Sequence, residues 1–376
     1  MAKHLWSRNR DILHSLLSLF IILVGCRTSP PDPLQHPYNN DYLAASKRIE
    51  ANSAADEIGR FLNNISRMTI SSGDLTNVFR VATLNSSEIA VLDGGTMLVH
   101  RVKTDGTDVA ILGGHGREPG HYISPSDLIT IPTGVAVVDF TTHRVIRYDT
   151  AGKFAGSFIY TPQGFSGSRI LYDQHANTFA LFGNRWKSVY VSGQPTSDLV
   201  HLYKNDGTFV KSAFEFPSRL MPLGLINDDA PVTSSDEAGN MYFMLPFEYT
   251  IHVISPSGSV SDLLSSSVHT FHAPTTPLHL EDRDLAKFHS WELQWTPIRA
   301  LVIDHGVALV EYEAFDRLRY TVDVWRLSDH TKLATYETNC LIVSHPNEER
   351  RIMLVNNPMF GGTRPYELIF GTISPQ

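Results

Sequence analysis

The stretch GGHGREPGHYISPSDL, residues 113–128, carries four glycines and two histidines ahead of a run rich in β-branched residues. A dinucleotide-binding loop has two residues between its second and third glycines, but three residues separate Gly116 from Gly120 here. A P-loop would have a lysine where this chain has His121. The residues that follow, 128–138, are strand-like rather than helical. We therefore interpret the stretch as a tight connection between two β-strands.

The rest of the chain repeats one pattern, in which a polar turn precedes a short run of Val, Ile, Leu and aromatic residues. Six copies recur at intervals of 44 to 65 residues, a spacing that is typical of solenoids and propellers. Most copies are followed by a second run that ends in a Gly-containing hairpin turn, such as TDG or NDG. The six copies are LNSSEIAVLD (84–93), IPTGVAVVD (131–139), YDQHANTFALF (172–182), SDEAGNMYFML (235–245), IDHGVALVEY (303–312) and NEERRIMLVNN (347–357).

These six strand–hairpin–strand units predict an all-β fold, a six-bladed β-propeller of four-stranded antiparallel blades. A propeller suits the pattern because each blade buries its faces against its neighbours and leaves only short edges. A β-sandwich would give strands at a shorter, more even spacing. A strand from one terminus commonly completes the last blade, and SRMTI (66–70) is the predicted closing strand.

The stretch at 113–128 also resembles the connector of NHL-type propeller repeats. The resemblance covers about 40 residues and is degenerate elsewhere, and His143 replaces the Asn that usually precedes the Arg. It implies that Asp139 accepts backbone hydrogen bonds at a strand end and that Arg144 packs between blades. The matching residues, in order, are Gly116, Pro119, Gly120, Tyr122, Pro125, Leu128, Gly134, Asp139, Arg144, Val145, Tyr148 and Gly152.

The N-terminus has the features of a secretory signal. Three basic residues precede the apolar run LLSLFIILV (16–24), which is too short to span a bilayer comfortably. The sequence LVGC (23–26) resembles a bacterial lipobox, in which Cys26 is lipidated and becomes the first residue of the mature protein. An uncleaved membrane anchor is the alternative. The predicted organisation is a signal peptide (1–25), a Pro-rich tether with a possible short helix (26–60) and the propeller (61–376).

Charge and cysteine content exclude several classes of function. The net charge of −8 argues against nucleic-acid binding, because contacts to phosphates need a basic surface. With Cys26 as the lipid attachment site, Cys340 is the only other cysteine. The sequence therefore predicts neither a disulfide framework nor a zinc site built from thiolates. No cofactor is predicted.

Two groups of residues are candidates for binding. The first group is polar and lies on the connector: Arg117, Glu118 and His121. The second group consists of tryptophans in or beside two long insertions, where exposed aromatic side chains would form a partner surface: Trp186, Trp291 and Trp295. The alternative for the tryptophans is that they cover the edges of their own blades. The 17 histidines form no metal motif, although ligands from several blades could converge at the central mouth.

The chain as a whole resembles the six-bladed β-propeller lipoproteins of Bacteroidetes-type bacteria. The resemblance implies a lipid-anchored protein of the cell envelope, at the outer membrane, and leaves its periplasmic or surface face open. We expect a binding module for a protein, peptide or glycan. The alternative is a metal-dependent propeller lactonase or lyase of the envelope, although no ligand carboxylates can be matched residue by residue.

Overall fold

The computed structural model describes residues 62–70, 75–160, 165–183, 198–218, 220, 230–275, 291, 294–314, 319–344, 351–356 and 366–373. These residues form six four-stranded antiparallel sheets. The predicted six-bladed β-propeller of four-stranded blades is therefore confirmed. Within these ranges, no helix has both the length and the apolar character needed to cross a membrane. The predicted signal peptide, Cys26 and the tether with its possible helix lie outside the described residues.

The strands follow the repeat that the sequence shows. Blades 1 to 5 each take four consecutive strands, beginning with the second strand of the chain, and blade 6 takes the last three strands and the first. In chain order the strands are β1 Leu62–Ile70, β2 Val78–Thr83, β3 Glu88–Asp93, β4 Leu98–Lys103, β5 Asp108–Ile111, β6 Pro125–Ile131, β7 Gly134–Asp139, β8 Arg144–Asp149, β9 Phe154–Ile159, β10 Gly167–Asp173, β11 Thr178–Gly183, β12 Asp198–Lys204, β13 Phe209–Glu215, β14 Val232–Ser235, β15 Met241–Met244, β16 Thr250–Ile254, β17 Val260–Ser265, β18 Ile298–Asp304, β19 Val307–Glu313, β20 Tyr320–Arg326, β21 Thr331–Thr338, β22 Cys340–Ile342, β23 Arg351–Asn356 and β24 Tyr366–Ile373.

The ring is closed by the N-terminal strand, as the sequence SRMTI predicts. Strand β1 pairs antiparallel with β24 from Leu62, opposite Ile373, to Ile70, opposite Tyr366. Ile70 is fully buried and packs in a core that joins blade 6 to blade 1. The closing strand is therefore held by a hydrogen-bonded ladder and also by side-chain packing.

The core lies between the blades. Strands β7 and β19, the second strands of blades 2 and 5, are buried along their whole length because both of their faces contact a neighbouring blade. This explains why the repeated runs of the sequence are continuously apolar rather than alternating. Each hydrophobic cluster accordingly draws its residues from two adjacent blades, as blades 1 and 2 do around Leu92 and Val137.

The central channel of the propeller has two ends, which are named here by the parts of the blades that lie there. The first strands of the blades contact one another around the channel. We call the end at which these strands begin the strand-start face, and the end that carries the turns between first and second strands the turn face.

Hydrogen bonds also join neighbouring blades. Amide groups in or next to the first strands donate to oxygens of a neighbouring blade: Thr83 to Thr130, Ile170 to Asp127, Ile303 to Ser234, Ile342 to Glu311 and Val81 to Val343.

The connector at 113–128 has the structural role expected from its sequence. Gly113 has a φ of 74°, and a side chain there would meet the hydroxyl group of Tyr148 and the carbonyl group of Gly120. The carboxylate of Asp139 accepts hydrogen bonds from the amides of Ile123 and Ser124, at 2.8 and 2.9 Å. The glycine therefore permits the turn between blades 1 and 2, and the aspartate fixes the start of blade 2.

Candidate functional site

An open cavity of about 710 Å³ lies at the turn face, at the mouth of the central channel. Four adjacent blades, 2 to 5, build it from the ends of their first strands and the turns that follow. Its walls therefore combine strand ends with short turns, and turns carried by a strand scaffold are a common place for binding residues. The lining residues are Thr130, Ile131, Pro132, Tyr172, Asp173, Gln174, Ser235, Asp236, Glu237, Ala238, Gly239, Ile303, Asp304, His305 and Gly306.

Three aspartates occupy corresponding places in neighbouring blades. Asp173 ends β10, Asp236 directly follows β14, and Asp304 ends β18. Asp173 and Asp304 are buried, with 2% and 7% of their surfaces exposed, whereas Asp236 is half-buried. Because the three blades are consecutive in the ring, these carboxylates line one side of the same cavity.

Two of the aspartates have bonds that shape their own turns. Asp173 Oδ1 accepts hydrogen bonds from the amides of His175 and Ala176, at 2.8 and 3.1 Å. Asp236 Oδ1 accepts from the amides of Ala238 and Asn240, each at 2.9 Å. A carboxylate that caps amides in this way stabilises a tight turn. Asp173 and Asp236 therefore have a role in local folding, because each stabilises the turn that follows its strand.

The other oxygen of Asp236 is also occupied. Asp236 Oδ2 accepts a hydrogen bond from the hydroxyl group of Tyr242 at 2.6 Å and one from Asn240 Nδ2 at 2.9 Å. Burial raises the pKa of Tyr242, and the neighbouring carboxylate of Asp236 raises it further. The Tyr242 hydroxyl therefore stays protonated and donates its hydrogen bond, which orients the carboxylate of Asp236 towards its own blade.

Asp304 differs from the other two in its electrostatics. Burial raises the pKa of the Asp304 carboxyl group above its usual value, and His305 beside it acts in the opposite direction. The negative charge of Asp304 is therefore held in a poorly hydrated place although the side chain lines an open cavity. A cationic group placed in the cavity would stabilise that charge.

The cavity is negatively charged overall. Its lining contains four carboxylates, from Asp173, Asp236, Glu237 and Asp304, and neither lysine nor arginine is among the described lining residues. His305 is the titratable base of the lining and is exposed. Among the described residues, no three His, Cys, Asp or Glu side chains come close enough to hold a metal ion.

Two smaller spaces lie among the first strands of the blades. A space of about 70 Å³ shares Thr130, Tyr172 and Ser235 with the large cavity and is otherwise lined mainly by aliphatic side chains. A space of about 20 Å³ lies among residues that include Arg80, Ile342 and Ser344. Both spaces are much smaller than the 710 Å³ cavity, which makes that cavity the candidate site for a ligand.

Two ion pairs and a buried glutamate lie near the strand-start face. Arg80 Nε donates to Asp127 Oδ1 at 3.2 Å, and Arg299 Nε donates to Glu313 Oε1 at 2.6 Å. Glu311 is completely buried. Its Oε2 accepts the amide hydrogen of Ile342, and its Oε1 has no hydrogen-bond partner among the described residues. Burial raises the pKa of Glu311 to about 8, against the opposing charges of Arg80 and Arg299.

The three polar candidates of the connector lie together but away from the cavity. Glu118 Oε2 accepts a hydrogen bond from the amide of Arg117 at 3.0 Å and lies 3.2 Å from His121 Nδ1. Hydrogen bonds from its own amide and from His121 lower the pKa of Glu118. Connectors between blades lie at the strand-start face, so these residues are at the end opposite to the 710 Å³ cavity. Their role in binding stays a prediction.

Two of the three tryptophan candidates lie in the described part of the chain, and both are buried. Trp291 and Trp295 are 6% and 1% exposed, and their rings, 5.5 Å apart, pack in the core of blades 3 and 4. They therefore do not form the exposed aromatic surface that was predicted to contact a partner. Their indole rings are instead buried among apolar side chains, where large aromatic rings are stabilised by loss of contact with water. Trp186 lies outside the described residues.

The aspartates of the cavity are not among the residues predicted from the sequence, although the repeat carries a signal for them. Three consecutive copies of the repeat, YDQHANTFALF, SDEAGNMYFML and IDHGVALVEY, carry an aspartate at or next to their first residue. At the second position the first two copies have Asn85 and Pro132, and the sixth copy has Glu348. A comparison of the copies position by position would show an acidic residue at this position in the last four copies.

The sequence matches no protein-family model and no curated protein, so the NHL-type resemblance stays a prediction. Solved structures share the fold at low identity. A Bacteroides fragilis protein described as exported has 13% identity and a TM-score of 0.56, over 84% of this chain and 96% of its own. A DUF4221 family member from Bacteroides vulgatus has 9% identity and a TM-score of 0.58, over 83% and 97%. A gluconolactonase from Xanthomonas campestris has 12% identity and a TM-score of 0.51, over 84% and 91%.

Proposed function

We propose that this protein is a lipid-anchored binding module of the cell envelope that takes part of a protein, peptide or glycan into the cavity at its turn face. The lipobox-like LVGC sequence supports the anchor, with Cys26 as the attachment site at the outer membrane. The similarity in fold to a Bacteroides fragilis protein described as exported is consistent with this location.

The observation that carries the proposal is the cavity itself. Its volume of about 710 Å³ lies in the range typical of ligand-binding pockets, about 300–1,000 Å³. It is open, it lies at the end of the channel, and its side chains are fixed by strand ends from four blades. These properties suit the recognition of a ligand by a rigid scaffold.

The alternative function, a metal-dependent lactonase or lyase, lacks an observation in its favour. A catalytic metal site uses about three protein ligands that converge on one point. The described residues contain no such group. The gluconolactonase among the similar structures shares the propeller fold, and a fold does not define the chemistry of a site.

Blocking the cavity tests the proposed function. Gln174 is exposed in the turn of blade 3 and lines the cavity, so Gln174→Trp should fill part of it. Ser86→Trp is the matched control, because Ser86 is exposed in the corresponding turn of blade 1 and is not a lining residue. We expect wild-type protein and Ser86→Trp to bind the same members of a peptide and glycan array and Gln174→Trp to lose them. Array binding that survives Gln174→Trp unchanged would contradict the proposal.

The anchor is tested separately by cell fractionation. Replacing Cys26 with Ser removes the sulfur that would carry the lipid, so the variant should leave the membrane fraction. Labelling with a radioactive fatty acid should mark the wild-type protein and not Cys26→Ser. Retention of the variant in the membrane, without a change in labelling, would show that another segment holds the protein there.

A further inference from the structure

We propose that His252 is a proton-dependent clamp in blade 4. With both ring nitrogens protonated, it joins three segments of the blade, and the loss of one proton loosens the outer strand β17. The clamp is a property of the propeller itself and does not depend on the proposed binding function. Three features support it: the partners of the two ring nitrogens, the surroundings of the ring and the irregular pairing of β17.

Both ring nitrogens of His252 face a carboxylate. Nδ1 lies 2.7 Å from Asp262 Oδ1, and Nε2 lies 3.2 Å from Glu248 Oε1. A neutral imidazole has one donor and one acceptor nitrogen, the imidazolium ion has two donors, and a carboxylate is an acceptor only. In the neutral form one ring nitrogen would therefore turn its lone pair towards a carboxylate. The doubly protonated form satisfies both contacts.

The contacts of the ring also suit a positive charge. The His252 side chain is buried, and its ring stacks on Phe243 with the ring centroids 4.8 Å apart at an angle of 27°. The ring of Phe214, from the outer strand of blade 3, lies 5.0 Å away. A cation over the face of an aromatic ring is stabilised by the charge distribution of that ring. The two phenylalanines therefore favour the imidazolium ion in a place that water reaches poorly.

The charged groups that face the ring in the described part of the chain are these two carboxylates. The side chain of Glu248, in the turn before β16, is 11% exposed, and that of Asp262, in β17, is 67% exposed. Strand β13, which packs against the ring from blade 3, also carries Lys211 and Glu215. Lys211 Nζ donates to the carbonyl oxygen of Ser257, in the turn between β16 and β17. Glu215 follows the phenylalanine that contacts the ring, so its side chain points to the other face of the sheet.

The backbone pairing of β17 is interrupted at the clamp. Ile251 lies opposite Leu264 and His252 lies opposite Asp262, so Leu263 is an extra residue in β17. Such a bulge disrupts the hydrogen-bonded ladder locally. The bond between His252 and Asp262 therefore holds the outer strand where its backbone pairing is weakest. The second ring nitrogen ties the same histidine to the turn between β15 and β16.

The histidines at the same position of two other blades differ from His252. Each of the three is the sixth residue before the glycine of the following hairpin turn. His100 Nδ1 lies 2.9 Å from Asp108 Oδ2, and His201 Nε2 lies 3.3 Å from Asp198 Oδ2. The other ring nitrogen of each is buried and has no hydrogen-bond partner among the described residues. A second proton there would lack an acceptor, and burial lowers the pKa of His201 although Asp198 opposes this. The carboxylate at the second nitrogen thus distinguishes His252.

The test is amide hydrogen exchange of the purified protein at pH 6 and pH 8, read by mass spectrometry and corrected for the intrinsic effect of pH on exchange. Histidine side chains change their charge between about pH 5 and 8. We expect the protection of β17 to fall about threefold or more from pH 6 to pH 8. Strand β13, the outer strand of blade 3, is the internal control and should show no such fall.

Two matched variants assign the effect. His252→Gln keeps a donor and an acceptor and removes the titration, so the fall in β17 should disappear. His201→Gln makes the same change at the equivalent position of blade 3 and should leave the fall in β17 unchanged. A fall in β17 that persists in His252→Gln would assign the proton to another group and overturn the clamp.

The remaining outcomes are also decisive. An equal fall in β17 and β13, or no fall in β17 of the wild-type protein, would overturn the proposal. If His252→Gln does not fold, Asp262→Asn decides, because Asp262 is largely exposed and its replacement leaves the core intact. A smaller fall in β17 of Asp262→Asn than in the wild-type protein supports the clamp, and an unchanged fall refutes it.

Discussion

Replacing Glu311 with Gln should change the stability of the propeller in a way that depends on pH. Glu311 lies in β19 at the junction of blades 5 and 6 and is completely buried. Its Oε2 accepts the amide hydrogen of Ile342 at 3.0 Å, and within the described part of the chain its Oε1 has no hydrogen-bond partner. Burial raises its pKa from 4.5 to about 8, although Arg80 and Arg299 act in the opposite direction. Gln keeps the acceptor and the shape and removes the titration.

The size of the effect follows from proton linkage. The folded state binds the Glu311 proton more tightly than the unfolded state, so the contribution of this group to stability is fully present below about pH 4.5 and is lost as pH rises towards about 8. With these two pKa values, the loss is about 1 kcal/mol at about pH 5 and about 3 kcal/mol at about pH 7. The free energy of unfolding of Glu311→Gln, relative to wild type, should therefore rise by about 2 kcal/mol between these pH values.

Urea unfolding followed by tryptophan fluorescence measures this difference. Ser234→Ala is the control, because Ser234 Oγ accepts the amide of Ile303 at the junction of blades 4 and 5 and does not titrate in this range. Its cost should be about 1–3 kcal/mol and the same at both pH values. If the stability curves of wild type and Glu311→Gln run parallel with pH, Glu311 does not hold a proton in the folded protein and the argument from its burial is wrong.

Three further predictions concern the fold. Burial raises the pKa of the Cys340 thiol to about 12, so iodoacetamide should leave it unmodified in the native protein and alkylate it in urea, as read by mass spectrometry. Ile70→Ala, in the closing strand, should lower the free energy of unfolding by about 2–5 kcal/mol in urea titrations. Asp139→Ala removes the acceptor of four hydrogen bonds, so its melting temperature should fall well below that of Asp329→Ala, which changes an exposed aspartate in the turn between β20 and β21.

The propeller could be predicted because its signals are local. Turns such as that at Gly113 need a positive φ, and the runs between them are apolar because both faces of the second strands are buried. Each pattern occupies a few residues and recurs along the chain, so a copy that departs from the pattern can still be recognised by comparison with the others. The closing strand could be predicted for a related reason: a sixth blade with three strands leaves one place for 66–70.

The cavity could not be predicted in the same way, because it depends on which blades are neighbours in space. Asp173, Asp236 and Asp304 lie far apart in sequence and line one cavity only because their three blades stack side by side. Exposure is equally non-local: nothing near Trp291 or Trp295 in the sequence shows that other blades cover them. The polar residues of the connector lie together in one short motif of the sequence. The topology nevertheless places them at the end of the channel opposite to the cavity.

A comparison of two strand-end aspartates shows why residue type alone does not identify the site. Asp93 ends β3 and is fully buried, as Asp304 nearly is at the end of β18. Burial alone would raise the pKa of Asp93, but hydrogen bonds from Thr76, Gly95 and Thr96 outweigh it and lower the pKa. At Asp304 burial prevails and the pKa is raised. The charge of Asp93 is thus stabilised by donors from its own turn and from the segment that precedes β2, whereas the hydrogen bond from the amide of His305 does not outweigh burial at Asp304. The surrounding donors, rather than the aspartate itself, therefore decide whether the pKa of a strand-end aspartate is lowered or raised.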